Sequence, residues 1–192
     1  LHMRRAMHMD TSIIEAGNTD TYLADYLFEL SGYLVVKGGV GAADIAEMNA
    51  WAQAHWDYLE KPRRGGNGQE SEGEWIGPVE THTYSDADGI NVRNIMEAGP
   101  VFERHIDGPA WIEHVRRWVN AHNGLSLHET LLNLRGAGGY IGIHCGGHIP
   151  CSYMTFRQAN TGEWMVGQIN VITALEDIGP GDGPTTLFPV SS

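Results

Sequence analysis

Among ten histidines, His144 stands in the run Ile143-His144-Cys145-Gly146-Gly147-His148, where an apolar stretch meets glycines. Glycines let other groups approach the backbone closely. Imidazole is the commonest metal ligand, and open sites built on β scaffolds use it for zinc or non-haem iron. His144, at a strand end, therefore has two readings from the residues alone, a metal ligand or an ordinary strand-end histidine. His148 follows four residues later, a spacing that pairs imidazoles only on a helix, and Gly146, Gly147 and Pro150 oppose a helix there. Cys145 and Cys151 do not form a zinc knuckle, and no other Cys/His pair has suitable spacing. The other histidines read as structural or solvated: His55, His105, His114 and His122 on polar sides of predicted helices, His82 in a loop, His128 opening a strand. The chain has no Gly-x-Ser-x-Gly nucleophile elbow and no Gly-Lys-Ser/Thr phosphate loop. Gly136-Ala137-Gly138-Gly139 reads as a strand connection, with no helix following it to supply a dipole.

These residues need elements to position them. Residues 19–31 predict a helix capped by Thr19 or Asp20 and stopped by Gly32, with Leu23, Tyr26, Leu27 and Leu30 on its apolar face. Tyr33-Leu34-Val35-Val36 reads as a short buried strand. A second helix is expected over 42–59, with Ile45, Met48, Ala52, Trp56 and Leu59 on one stripe. Residues 61–74 read as a surface loop. Two further helices are expected around 100–107 and 110–120, the second starting near Pro109 and presenting Trp111, Val115 and Trp118. After Gly124, four segments read as strands: Leu125–Arg135, Tyr140–Cys145, Trp164–Leu175 and Thr185–Val190. The expected organisation is a flexible N-terminus over 1–18 and one domain over 19–192, helical over 19–120 and β-rich over 125–192.

Composition bounds the function. Glycine is 25 of 192 residues, about twice its usual share of about 7%, and it is not periodic, which favours turn-rich β architecture over collagen. The net charge of −12, from 24 acids and 12 bases, disfavours binding to nucleic acid or to an anionic membrane surface. No apolar run approaches the ~20 residues of a membrane helix. The basic start lacks the apolar segment of a secretory signal, and two cysteines make no disulfide framework, so a reduced, cytoplasmic setting is expected. Trp51 and Trp75 are candidates for an interface, with core or lid packing as the plainer reading; the oligomeric state is not legible.

Taken in order, the segments resemble the phytanoyl-CoA dioxygenase family of non-haem Fe(II)/2-oxoglutarate oxygenases. The resemblance runs through Tyr26-Leu27-Phe28-Glu29-Leu30-Ser31-Gly32-Tyr33-Leu34-Val35-Val36 to Leu127-His128-Glu129-Thr130-Leu131-Leu132-Asn133 and Ile143-His144. It continues through Gln168-Ile169-Asn170-Val171-Ile172-Thr173-Ala174-Leu175-Glu176-Asp177, Gly181-Asp182-Gly183-Pro184 and Leu187-Phe188-Pro189. It implies a mainly β fold with flanking α-helices, a double-stranded β-helix of the jelly-roll or cupin-like kind, whose C-terminal part lies beyond Ser192. It implies iron held by a His-x-Asp/Glu motif and a distal His, a face that leaves positions open for 2-oxoglutarate and O₂. His144 takes the first ligand position. The distal His, and the Arg that pairs with 2-oxoglutarate, are expected after Ser192. Matching the segments also sets Asn91, Thr130 and Ile172 near 2-oxoglutarate, and strand alternation adds Gln168 and Asn170 to the face of Ile172.

The carboxylate position falls on Gly146, and that departure permits three readings. Some halogenating relatives carry a small residue there, and the vacated iron position accepts chloride. Alternatively Glu163 or Asp182 supplies the carboxylate, or the metal site has decayed and leaves a binding relative. The main expectation is an oxygenase that hydroxylates a small organic substrate, with Fe(II) as cofactor and 2-oxoglutarate and O₂ as co-substrates.

Overall fold

The computed structural model describes residues 12–55, 74–82, 89–119, 124–135, 156–157, 160–162, 164–179, 182, 185 and 187. Within them the chain is mixed α/β, with a four-stranded antiparallel sheet and two smaller strand pairs.

The first unit is a βαβ crossover. Strand β1 (Ile13–Glu15) pairs in parallel with β2 (Val35–Lys37), and helix α1 (Thr21–Ser31) connects them. Strand β1 lies inside the stretch read from sequence as a flexible tail, and Ile14 is buried there. The Asp20 carboxylate accepts the Leu23 amide at 2.9 Å and starts α1. Gly32 ends it, donating to the Phe28 carbonyl at 2.7 Å. The helix stands where the caps predict, but its buried face is rotated. Ala24 and Leu27 pack with Ile14, Leu34 and Val36, whereas Leu23, Tyr26 and Leu30 are exposed. Contacts on the 24/27/28 side set this phase: Phe28 stacks on Trp118 at 3.8 Å.

Helix α2 (Ala42–Ala54) follows, shorter than the 42–59 expected, and His55 is its C-cap, with Nδ1 donating to the Trp51 carbonyl at 2.7 Å. Met48 and Ala52 are buried as their stripe predicts, while Trp56 and Leu59 lie outside the described residues. Trp51 belongs to the core margin, edge-on to Phe102 at 5.7 Å, and Trp75 is exposed.

Three strands then occur inside the half read as helical. Strands β3 (Glu74–Ile76), β4 (Val79–His82), β5 (Ile90–Arg93) and, later, β6 (Leu131–Leu134) form one sheet in that order. His82, read as a loop residue, is the last residue of β4. The β3–β4 turn is the two-residue Gly77-Pro78, with Gly77 at φ +59°. Such tight hairpins need a residue at positive φ. A 3₁₀ turn (Ile95–Ala98), a one-turn helix α3 (Pro100–Glu103) and helix α4 (Ile112–Trp118) follow β5. Helix α4 begins later than Pro109, with Trp111 as its N-cap.

One side of the sheet holds Ile76, Val79, Thr81, Ile90, Val92, Leu132 and Leu134. The apolar members of this set pack with Met48, Ala52, Ile95, Val101 and Phe102 as the larger core. Val79, Thr81 and Val92 have no exposed surface. An ion-pair group ties α2 to α3 at the rim: Arg104 donates to Asp44 at 2.6 Å and to Glu47 at 3.0 Å, and His105 Nε2 donates to Asp44 at 2.8 Å.

The β-rich half is only partly regular where described. Residues 124–130 form no ladder, so the expected strand 125–135 shortens to β6, and His128 precedes it. Strands β7 (Phe156–Arg157) and β8 (Trp164–Met165) make a short antiparallel pair. Residues 167–174 are not strand; beside them, Val166 makes an isolated bridge to Val119. Tyr140–Cys145 lies outside the described residues, as does most of 185–190.

Candidate functional site

The second side of the four-stranded sheet carries Trp75, Glu80, Asn91, Arg93, Leu131 and Asn133. The register sets Asn91 opposite both His82 and Asn133, and Arg93 opposite both Glu80 and Leu131. This alternation of Ile90-Asn91-Val92-Arg93 is what a strand with one apolar and one polar side requires. Yet Asn91 is only 2% exposed, beside Val92 at 0%. Strand β5 is therefore covered on both sides, and an amide is buried on the side away from the helices. Buried amides are retained where their hydrogen-bonding groups find partners or serve a ligand. Arg93, on the same side two residues along, approaches the Glu129 carboxylate at 4.0 Å. An amide and a guanidinium so placed are groups suited to an anionic or carbonyl-bearing ligand.

Of the residues predicted to surround 2-oxoglutarate, Asn91 alone is buried. Thr130 is partly buried and lies one residue before β6, so strand pairing does not set it beside Asn91. Gln168, Asn170 and Ile172 fall in the non-strand segment, where Gln168 and Asn170 are exposed and Ile172 is 67% exposed. Their expected common strand face is corrected on that ground. The run Ile169-Asn170-Val171-Ile172 has strand-forming residues but no ladder, and without a ladder alternation assigns no faces. What anchors this stretch is Leu175, which packs against the larger core and whose carbonyl accepts the Asn49 amide at 2.7 Å.

His144, Gly146, Gly147, His148 and Glu163 lie outside the described residues, so the expected metal centre does too. Among the described residues no group of three His, Cys, Asp or Glu side chains is able to hold a metal ion. The described part of the fold thus supplies no ligand set for iron. Nor does any helix among the described residues have the length and apolar character to cross a membrane.

A concavity of about 200 Å³ lies between the crossover unit and α4. Ile14, Val36, Pro109 and Ala110 supply its apolar lining, and Glu15, Thr19, Glu113, His114 and Arg117 its polar groups. The sequence reading assigned nothing to it. Its His114 was placed on the polar side of a helix, which is correct as far as a single helix goes, and its Arg117 was given no role. Arg93 and Asn133 were missed as well, although their alternation with apolar neighbours was a readable signal.

Comparison with protein-family models, curated proteins and solved structures returned no match for this chain.

Proposed function

We propose that this chain is an Fe(II)- and 2-oxoglutarate-dependent oxygenase resembling the phytanoyl-CoA dioxygenases, hydroxylating a small organic substrate. In this reading the mixed α/β fold is part of a double-stranded β-helix with flanking helices. The sequence resemblance from Tyr26 to Pro189 motivates it. The observation that carries it is the burial of Asn91 on the side of the sheet away from the helices, at a position the resemblance sets beside the co-substrate. The amide would orient 2-oxoglutarate by hydrogen bonding, and the closed environment around β5 would keep water away from it. Iron would be held at His144.

Anaerobic titration of the protein with Fe(II) and then 2-oxoglutarate tests the reading. A visible charge-transfer band, followed by succinate release on adding O₂, is the expected result. Absence of both overturns it and leaves a non-catalytic binding relative. Replacing Asn91 with Leu should weaken 2-oxoglutarate binding about tenfold, the worth of one hydrogen bond of roughly 1.4 kcal/mol. Gly146, at the carboxylate position of the motif, favours a second reading as a halogenase. Product that forms only with chloride present would select it.

A further inference from the structure

One carboxylate and three rings join α1 to α4. Phe28 stacks on Trp118, and His114 lies against the same indole at 5.3 Å and 25°. Asp25 accepts the Trp118 indole N–H at 2.7 Å and the Arg117 guanidinium at 2.9 Å. Arg117 also donates through Nη2 to His114 Nδ1 at 2.8 Å. An Nδ1 that accepts must carry its lone pair, so His114 is the neutral tautomer with its proton on Nε2. The charged groups around it are Arg117 and Glu113 on α4, Asp25 on α1 and, across the cleft, Glu15 on β1. Three of these are already engaged: Glu113 with Arg116, and Asp25 and Arg117 with each other.

We propose that this junction is a proton-operated clasp on the cleft: uptake of a proton by His114 turns Nδ1 into a donor, abolishes the bond from Arg117 and moves the imidazole off Trp118, while Asp25 keeps both Arg117 and the indole. Burial of His114, with the positive charge of Arg117 adding to it and Asp25 opposing, sets this event below the ordinary histidine value of 6.5. Asp25 ionises below its own ordinary value of 3.8, so its carboxylate stays charged while His114 titrates. His114 and Arg117 both line the cleft. Its wall therefore exists in two states, selected by mild acidity.

The test is proton–nitrogen NMR of the full chain between about pH 8 and pH 4, spanning the ordinary histidine range. The His114 ring, the Arg117 Nε–H and the Trp118 ring protons should shift with one midpoint below 6.5. The Trp118 indole N–H, assigned with Trp118→Phe, should keep its bonded position throughout. His114→Gln retains an acceptor oxygen but cannot titrate, and should erase the transition. Titration of His114 without movement of Arg117 or Trp118, or the same transition in His114→Gln, overturns the proposal. Should that variant fail to fold, the wild-type His114 Nδ1 resonance decides: a protonated Nδ1 at about pH 8 overturns the clasp, and an unprotonated acceptor supports it.

Discussion

Asp25 accepts hydrogen bonds from two side chains of another helix; removing its carboxylate leaves the part-buried Trp118 indole N–H without that acceptor, while the more exposed Arg117 keeps His114 and the Glu113 carbonyl. Asp25→Ala should cost about 1 kcal/mol in chemical denaturation, the order of one lost hydrogen bond. Asp25→Asn, which keeps a carbonyl oxygen, should cost less. Burial works against the Asp25 charge, but the hydrogen bonds from Arg117 and Trp118 outweigh it and hold the carboxyl below 3.8. Asp44 is held down in the same way, by Arg104 first and His105 second. Both carboxylates contribute stability that is present above about pH 4 and is lost as pH falls through their lowered folded values. His114 also has a lowered folded value, so its share is present above 6.5 and lost as acidification charges the ring. The denaturation midpoint should therefore fall in two stages on acidification, and His114→Gln should remove the first.

At the scale of elements, the two sides of α1 make opposite predictions. Leu27→Ala opens a hole in the crossover core and should cost about 2–5 kcal/mol. Leu30→Ala acts on an exposed residue and should change stability by no more than about 0.5 kcal/mol. Thermal or urea unfolding of the pair checks both. Helix α1 was legible in sequence through Asp20 and Gly32, but its phase was not. Leu27 belongs to two apolar stripes, 23/26/27/30 and 24/27/28, and partners distant in sequence, Trp118 and Arg117, choose between them. Strands β3 to β5 went unread because each spans only three or four residues, too short for periodicity to stand out. Gly89 is a sharper case. It enters β5 at φ +72°, and a Cβ there would lie 2.3 Å from the Leu134 carbonyl oxygen. Gly89→Ala should cost more than about 1 kcal/mol and loosen the β5–β6 pairing, seen as faster amide exchange in β6.

At the scale of the whole molecule, the described fold divides its apolar residues between two cores, one in the crossover and one beneath the four-stranded sheet. The candidate site was legible to the extent of one buried amide. Asn91 was chosen through resemblance to a sequence pattern, and its burial follows from a central strand covered on both sides. Gln168 and Asn170 were added to Ile172 by assuming a strand, and the assumption failed where residues 167–174 join no ladder. A run of β-branched residues expresses a preference, and the preference becomes a strand only when a partner arrives.

The hydrogen bond from Asn49 to the Leu175 carbonyl joins residues 126 positions apart. It therefore bears on time as well as on packing. Ribosomes deliver the N-terminal portion first, at roughly 5–20 residues per second, so α2 waits several seconds for the segment that covers it. Pairing of β5 with β6 waits in the same way for residues 131–134. Contacts of such long sequence separation slow folding, because the intervening chain must be closed before they repay its lost entropy. The crossover from β1 to β2, by contrast, is complete within residues 13–37. It is the part of the chain equipped to form first, and the cleft beside α4 closes onto an already finished wall.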